Sequence, residues 1–401
     1  MNILFLTMNN FEDIDEHSIY PDLIRCLAKN GHNLTVLLPR EKKFNDCTTK
    51  TQVGNINIIR VRTGNLFDVG MVTKLISRSQ ICRQYKNALL KYSKDIKFDL
   101  ILSCTPPTIL YPLINKIKKR DDAYSYLMLK DIFPQNAVDL GMIKNGGLLH
   151  KFFRHHEKKL YKSSDRIGCM SPANVQYLLK QDSWIPESNV AICPNALEIK
   201  PFEYVDRDAV RDKYNIPKDK VVIVYGGGLG KPQGIDFLIE CIKKLNHNSK
   251  YMFVVMGSGP YAEILTELSK NHEDILKVIP WLPVDEFNNV VASSDIGLIL
   301  LDYRFNIPNF PSRLLAYLQA GIPVISATDA NCDIGTISEE NGFGYWCISK
   351  DSDDFIALLS KYENIKVREQ MGLRAREFFE REYNVEKVAE EIVSAVKERG
   401  L

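Results

Sequence analysis

The sequence has few of the features that mark secreted, metal-binding or membrane-spanning proteins. Its nine cysteines form no CxxC pair and no pattern with histidine at metal-ligand spacing, which indicates reduced thiols and a cytoplasmic protein. The longest uncharged run, residues 100–115, is shorter than the ~20 residues that span a bilayer and contains Pro106 and Pro107. The apolar start at residues 1–7 lacks the basic lead and cleavage site of a signal peptide. We therefore expect any membrane contact to be peripheral.

Charge of one sign is also scarce over the chain as a whole. The formal net charge is +2, which gives no reason to expect a nucleic-acid-binding protein. The stretch from Arg60 to Arg120 is different, with 13 Lys or Arg and three Asp, a net charge of +10. Such a stretch is either the solvated face of several helices or a patch for an anionic surface, such as phospholipid headgroups or a lipid diphosphate.

Short apolar runs alternate with amphipathic stretches along the chain, and this pattern predicts α/β structure with parallel sheets covered on both faces. The predicted strands are residues 3–7, 34–38, 56–61, 100–104, 124–129, 167–170 and 190–193, then 221–225, 251–256, 276–279, 296–301 and 323–326. The pattern restarts near residue 200. We therefore predict two doubly wound, Rossmann-like domains, residues 1–198 and 199–380, that face a central cleft. A last helix, residues 381–401, either caps the second domain or crosses back to the first.

A glycine-rich segment, residues 226–234, follows a predicted strand and precedes a helix. Glycines let backbone N–H groups approach an anion closely, and Lys231 adds a positive charge. The segment is not a P-loop, because Pro232 follows the lysine where Ser or Thr is required. It is not a dinucleotide fingerprint either, because Lys231 stands where a small residue is needed. A plain glycine turn is the simpler interpretation.

A second glycine segment, residues 257–262, matches GxGxxA. The next predicted strand, residues 276–279, ends without the acidic residue that holds an adenosine ribose in nicotinamide enzymes. This absence disfavours an oxidoreductase.

The third segment, residues 306–321, has the residues of a helix start and a stop at Gly321. The helix-start residues are Pro308, Asn309, Pro311 and Ser312. A helix amino terminus at 309–312 would offer free N–H groups and its positive dipole end to a diphosphate, and Arg313 would clamp a phosphate. The alternative is a capped helix with a surface arginine.

Two polar loops of the first domain follow predicted strands. The loop of residues 8–18 contains His17, which we expect to contact a sugar or an acceptor, and a DxD at Asp13 and Asp15 that we attribute to chance rather than to a metal site. The loop of residues 130–136 contains Asp131, which faces the predicted cleft or merely caps a helix. The aromatic and basic residues at 148–161 favour a core-facing amphipathic helix over a membrane-surface helix.

The combination of motifs resembles the retaining glycosyltransferase family 4, of the GT-B fold, nearly end to end. The motifs that carry this resemblance are Gly31-His32, Cys193-Pro194-Asn195, Gly227 to Gly234, Met256 to Pro260 and Gly321 to Val324. Residues 105–107, 130–141 and 167–172 resemble, more narrowly, the WbuB-like subgroup of fucosamine-type transferases of bacterial capsule and O-antigen synthesis.

The resemblance implies transfer of a sugar from a nucleotide diphosphate to a polyprenyl-diphosphate-linked saccharide, on the inner face of the cell membrane, with no cofactor and no required metal. The subgroup suggests UDP and an N-acetylated deoxyhexosamine such as N-acetylfucosamine. The resemblance implies catalytic roles for Lys231, Arg313, Asp131 and His17. Donor contacts are expected from Gly227, Gly228, Gln233, Gly257, Ser258, Gly259, Asn309, Phe310, Pro311 and Ser312.

The sequence departs from the family at two points. Pro308 and Ala316 stand where the family often has a pair of glutamates, and Gln233 replaces a usual second lysine. Recognition of the ribose is therefore open, as are the base, the sugar, the acceptor, the linkage and the oligomeric state. Two other functions stay open: a nucleotide-sugar epimerase of the same fold, and a non-catalytic nucleotide-sugar-binding protein.

Overall fold

The computed structural model describes residues 1–66, 70–201, 204–247 and 249–399, without the side chains of residues 71, 72 and 74–76. The chain divides into two compact units, Met1–Glu198 with Val385–Leu401, and Ile199–Asn384. Each unit has a largely or wholly parallel sheet with helices between its strands. The predicted α/β class, with two doubly wound domains, is confirmed.

The first unit has an eight-stranded sheet in the order β3-β4-β2-β1-β5-β6-β7-β8. Its strands are β1 (Asn2–Leu6), β2 (Asn33–Glu41), β3 (Thr49–Val53), β4 (Ile56–Thr63), β5 (Leu100–Cys104), β6 (Tyr124–Leu129), β7 (Arg166–Cys169) and β8 (Val190–Ile192). Neighbouring strands are parallel except for the antiparallel pair of β3 and β4. The apolar pattern does not predict β3, because all five of its residues are exposed.

The helices of the first unit are α1 (Ile19–Lys29), α2 (Met71–Tyr92), α3 (Tyr111–Asp121), α4 (Gln135–Asp139), α5 (Leu148–Ser163), α6 (Pro172–Gln181) and α15 (Val385–Lys397). The last of these, α15, returns to the first unit from the end of the chain. Its Val388 and Ile392 are buried in the same core as Leu23 and Leu27 of α1. At its start, the Val385 N–H donates to the Leu197 carbonyl at 3.0 Å.

The second unit has a six-stranded parallel sheet in the order β11-β10-β9-β12-β13-β14. Its strands are β9 (Val221–Gly228), β10 (Tyr251–Ser258), β11 (Leu276–Ile279), β12 (Ile296–Leu300), β13 (Val324–Thr328) and β14 (Gly344–Ile348). Its helices are α7 (Arg207–Lys213), α8 (Ile235–Lys244), α9 (Ala262–Lys270), α10 (Val284–Ala292), α11 (Arg313–Gln319), α12 (Ile334–Glu340), α13 (Ser352–Leu359) and α14 (Ile365–Glu382). The apolar pattern misses β14, because only two of its five residues are buried.

None of the helices in the described ranges is both long enough and apolar enough to cross a membrane.

Candidate functional site

The two glycine-rich segments of the second unit are the ends of neighbouring strands. The structure extends β9 and β10 beyond the predicted residues 225 and 256, so that Gly227 pairs with Gly257 and Gly228 with Ser258. An ideal Cβ on Gly257 would lie 1.8 Å from the Gly227 carbonyl oxygen, and the φ of Gly257 is +147°. Only glycine tolerates this approach and this backbone conformation. The carboxyl edge of the sheet is therefore bare backbone at this point.

Backbone hydrogen bonds join the turns that follow these two strand ends. The Leu229 N–H donates to the Ser258 carbonyl at 2.8 Å, and the Tyr261 N–H donates to the Leu229 carbonyl at 3.1 Å. Gly228, Ser258 and Gly259 are all exposed. The predicted donor residues of the two glycine segments thus lie side by side.

Arg313, the first residue of α11, covers the end of β9. Its Cζ atom lies 4.4 Å from the centroid of the Tyr225 ring, a cation–π contact. An ideal Cβ on Gly227, whose φ is +136°, would lie 3.3 Å from the Arg313 Nη2 atom. The Arg313 Nη1 atom is buried and has no hydrogen-bond partner among the described residues. An unpaired buried N–H group is costly. This guanidinium is therefore suited to donate a hydrogen bond to an anionic group beside the glycine backbone.

The expected helix start at residues 309–312 falls at the end of that segment in the structure, where Ser312 is the N-cap residue of α11. The helix α11 begins only at Arg313 and has seven residues, and the Ser312 side chain makes no capping hydrogen bond. Pro308 and Pro311, both in the preceding loop, lack the N–H groups that an anion would need.

The remaining predicted residues of this loop point to different neighbours. The Phe310 ring lies 6.2 Å from the Tyr383 ring, at the end of α14. The Asn309 carbonyl accepts a hydrogen bond from the Cys332 Sγ at 3.1 Å. The Asn309 Nδ2 atom is buried without a partner among the described residues.

Lys231 is exposed on the turn after β9. Burial acts to raise the pKa of the nearby Asp302 carboxyl, but hydrogen bonds from Arg304 and the charge of Lys231 outweigh burial and lower that pKa. The Asp302 N–H donates to the Pro232 carbonyl at 3.1 Å, which holds the turn against the end of β12. The Gln233 side chain folds back over the same turn. Its Oε1 atom would lie 3.2 Å from an ideal Cβ on Gly230. Lys231 and Arg313 thus flank the same strand end.

The sequence reasoning missed Asp329, which is fully buried just after β13. Its Oδ1 atom accepts hydrogen bonds from the Asn331 N–H at 2.8 Å and the Cys332 N–H at 3.0 Å. Its Oδ2 atom is buried without a partner among the described residues. Burial raises the pKa of this carboxyl to about 6 despite those two hydrogen bonds. Its place soon after the predicted strand of residues 323–326 was the only signal in the sequence.

The turn that contains Asp329 is joined to the loop before α11. The Asn331 Nδ2 atom donates to the Phe305 carbonyl at 2.9 Å, and the Cys332 Sγ donates to the Asn309 carbonyl. Two buried polar atoms without described partners, Asn309 Nδ2 and Asp329 Oδ2, therefore belong to connected loops at the carboxyl edge of this sheet.

In the first unit, His17 is held just before α1 by Asp22. The His17 Nδ1 atom lies 2.9 Å from the Asp22 Oδ2 atom, and Arg25 lies 2.6 Å from the Asp22 Oδ1 atom. Asp22 also accepts a hydrogen bond from the Glu198 N–H at 2.8 Å. Burial acts to raise the Asp22 pKa, but these partners outweigh it and hold the pKa below its usual value. His17 is thus oriented by a buried, ionised carboxylate.

The two aspartates of the DxD sequence in the same loop are hydrogen-bonded to each other. The Asp15 N–H donates to the Asp13 Oδ1 atom at 3.0 Å. Within the described ranges, no three or more His, Cys, Asp or Glu side chains are grouped as metal ligands would be.

Asp131 is exposed on a loop that the buried Thr105 organises. The Thr105 hydroxyl accepts hydrogen bonds from the Lys130 N–H at 2.9 Å and the Asp131 N–H at 3.1 Å, and it donates to the Asp131 carbonyl. Desolvation by the protein around it raises the pKa of the Asp131 carboxyl. Burial, then Cys104 and Asp131, raise the pKa of the Tyr20 hydroxyl. The described contacts do not join Asp131 to His17.

We expect Thr105→Val to lower the free energy of unfolding by about 2–3 kcal/mol, because it leaves two backbone N–H groups and one carbonyl without their partner. Thr63→Val is the matched control. The Thr63 hydroxyl is equally buried but has no hydrogen-bond partner among the described residues, so its loss should be neutral or stabilising. Urea unfolding of both variants makes the comparison. Equal losses would show that Thr105 does not organise the loop.

These features define a class of protein: two Rossmann-like units, of which the second places bare strand ends beside a guanidinium group with one buried nitrogen that has no hydrogen-bond partner among the described residues. Residues 206–378, which lie within the second unit, match the family model described as "Glycosyl transferases group 1". The chain is 26% identical over 283 residues to the Pseudomonas aeruginosa protein described as "Probable glycosyltransferase WbjE", across 69% of this chain and 70% of that protein. The protein is therefore related to bacterial glycosyltransferases.

Solved structures show the same fold. WaaG, described as a glycosyltransferase involved in lipopolysaccharide biosynthesis, matches 97% of this chain and 99% of its own chain, with a TM-score of 0.67 and 15% identity. The Anabaena protein HepE in complex with UDP matches 99% of this chain and 100% of its own, with a TM-score of 0.70 and 11% identity. The two units of this protein thus have the GT-B fold of glycosyltransferases.

Proposed function

We propose that this protein transfers a sugar from a nucleotide diphosphate to a polyprenyl-diphosphate-linked saccharide, with retention of anomeric configuration and without a metal, during capsule or O-antigen assembly. The observation that carries this proposal is the unpaired, buried Nη1 atom of Arg313 beside the bare backbone of Gly227. A departing diphosphate gains negative charge as the bond to the sugar breaks. Fixed positive groups at that point lower the barrier most effectively when water is excluded.

Arg313 and Lys231 are the residues to which we assign this charge neutralisation. The glycine strand ends at Gly227 and Gly257 let backbone atoms of the two strands and the Arg313 guanidinium lie close together, because no glycine side chain separates them. UDP as the nucleotide is supported by HepE, which shares the fold and was solved with UDP. An N-acetylated deoxyhexosamine as the sugar is supported by the motif resemblance of the first unit.

We assign to Asp329 and Asn309 the recognition of hydroxyl groups of the donor. In the family that the sequence resembles, a pair of glutamates often stands at the positions of Pro308 and Ala316. Pro308 and Ala316 have no polar side chain, whereas Asp329 Oδ2 and Asn309 Nδ2 are a free acceptor and a free donor in neighbouring loops. A sugar or ribose hydroxyl would satisfy these atoms, and burial without such a partner is costly.

In the first unit, His17 and Asp131 are assigned to the sugar and the acceptor. His17 is oriented by the Asp22 carboxylate, and the Asp131 loop is fixed by Thr105. A membrane-bound acceptor would bring the protein to the inner face of the cell membrane as a peripheral protein. WaaG, described as acting in lipopolysaccharide biosynthesis, supports this setting.

The test is a transfer assay by mass spectrometry, with a panel of nucleotide sugars and polyprenyl-diphosphate-linked monosaccharides. We expect the acceptor to gain the mass of one sugar, and this gain to disappear in Lys231→Ala and Arg313→Ala. Turnover of the nucleotide sugar without acceptor would contradict the proposal and indicate an epimerase. Tight binding of a nucleotide sugar without any reaction would also contradict it and indicate a binding protein.

A further inference from the structure

Four large apolar side chains are exposed within 11 residues at the start of α5. The exposed fractions are 62% for Met142, 88% for Leu148, 46% for Leu149 and 52% for Phe152. We call these four residues the α5 patch. Exposed apolar residues are common singly, but a contiguous group of them marks a surface that contacts something apolar.

The α5 patch is part of a firmly packed helix. Phe153, Leu160 and Tyr161 of the same helix are buried. Arg154 lies 2.6 Å from the Asp182 carboxylate and also pairs with the buried Glu157, which accepts a hydrogen bond from the Tyr161 hydroxyl at 2.7 Å. This buried network holds the helix in place. The exposed apolar side chains are therefore presented by a rigid element.

Within residues 142–162 the exposed charges are of one sign. Residues 142–162 contain six Lys or Arg and one acidic residue, Glu157, which is buried and paired with Arg154. Lys144 and Lys151 are exposed beside the patch. Apolar side chains flanked by lysines fit the boundary between anionic headgroups and acyl chains.

The stretch from Arg60 to Arg120, although richer in charge, is less suited to this role, because several of its cations are already engaged. Arg60 donates to the Glu12 carbonyl at 2.6 Å, Lys118 lies 2.8 Å from Asp165, and Arg120 lies 2.5 Å from Asp121. These three cations are therefore held in contacts within the protein.

The α5 patch also adjoins the loop that we assign to the acceptor. Phe133, two residues after Asp131, has its ring 4.8 Å from the Phe153 ring, and Phe153 in turn lies 5.3 Å from the ring of Phe152. A chain of three aromatic rings thus connects the patch to the Asp131 loop.

We propose that the α5 patch is a membrane-docking surface: Leu148, Leu149 and Phe152 insert at an anionic lipid surface, and Lys144 and Lys151 bind lipid phosphates. Docking in this orientation delivers a lipid-linked acceptor to the Asp131 loop. The delivery step rests on the proposed function, whereas lipid binding itself does not.

The experiment is flotation of the full-length protein with vesicles of phosphatidylcholine, alone or mixed with phosphatidylglycerol. We expect binding only to the anionic vesicles, weakened by high salt. The triple variant Leu148→Ser, Leu149→Ser, Phe152→Ser should bind at least about tenfold more weakly, as should Lys144→Glu with Lys151→Glu. The matched control is Ile365→Ser with Leu373→Ser, which removes apolar side chains of similar exposure, 58% and 67%, from α14. This control should bind as the unaltered protein does.

Several results would overturn the proposal: equal binding to both kinds of vesicle, no binding by the unaltered protein, or unchanged binding by the triple variant. A dimer in solution that the triple variant dissociates, without vesicle binding, would make the patch a self-association surface and also overturn it. Patch-dependent lipid binding without sugar transfer would support the docking surface and contradict the proposed function. Transfer to a short-chain, water-soluble acceptor should survive in the triple variant, which separates docking from chemistry.

Discussion

Replacing Arg313 with alanine is expected to slow sugar transfer by about 100- to 1000-fold, the effect typical of removing one fixed donor to a developing anion. The free energy of unfolding should change by no more than about 1–2 kcal/mol, because the variant loses the cation–π contact with Tyr225 but also removes a buried, unpaired Nη1 atom. A large loss of rate with little loss of stability is the signature of a group whose partner is the substrate. Steady-state kinetics and urea unfolding measure the two quantities.

The controls for this prediction separate charge from geometry. Arg313→Lys should recover part of the rate, since it keeps the charge but loses the planar contact with Tyr225 and two-point binding of phosphate. Lys231→Ala should also lose rate, whereas Lys243→Ala, which removes an exposed charge from α8, should not. If Arg313→Ala turned over donor as fast as the unaltered protein, Arg313 would not contact the diphosphate.

Asp329→Asn is expected to stabilise the protein at pH 8 and to weaken donor binding at least about tenfold. Burial raises the pKa of this carboxyl to about 6 from an ordinary value of 3.8, so the folded state holds the proton more tightly than the unfolded state. Ionisation of Asp329 therefore lowers the free energy of unfolding as the pH rises from 3.8 to about 6. The loss reaches about 3 kcal/mol above pH 6. Asparagine keeps the acceptor for the Asn331 and Cys332 N–H groups, and it removes the charge. It also removes the Oδ2 acceptor that we assign to a donor hydroxyl.

The pH dependence and a matched carboxylate test this second prediction. The gain in stability should shrink as the pH falls from 8 to 4, because the native carboxyl becomes neutral as well. Asp351 makes the same kind of turn, with its Oδ1 atom accepting from the Asp353 and Asp354 N–H groups, but it is exposed. Asp351→Asn should therefore change neither the donor affinity nor the pH dependence. Donor affinity unchanged in Asp329→Asn, measured by calorimetry, would remove Asp329 from the site.

Sequence patterns predicted most of the sheet because most strands are buried on both faces. The residues of β5, β6, β12 and β13 are all buried, so their apolar runs are continuous and easily recognised. The strands β3 and β14 lie at sheet edges, where exposure removes the pattern. The start of α11 was located only to within residues 309–312, because the prolines and polar residues that open a helix also occur in the loop before one.

The site was predictable only in part. Arg313, Lys231 and the glycines were visible in the sequence, because each stands next to a predicted strand or helix end. Asp329 was not distinguishable from the many aspartates that close turns, since its signal is an unpaired buried oxygen, which exists only after folding. Likewise, helical spacing alone favoured a core-facing α5, whereas its exposed face became visible only in the folded unit.

The sequence by itself determined the α/β class, the restart of the pattern near residue 200 and the residue types available for a diphosphate, because these depend on local periodicity and chemistry. Only the tertiary structure decided that Gly227 and Gly257 pair in adjacent strands, that Arg313 rests on Tyr225, and that α15 packs on α1. Each of these contacts joins residues between 30 and several hundred positions apart. Such contacts follow from the packing of whole elements, which no short stretch of sequence encodes.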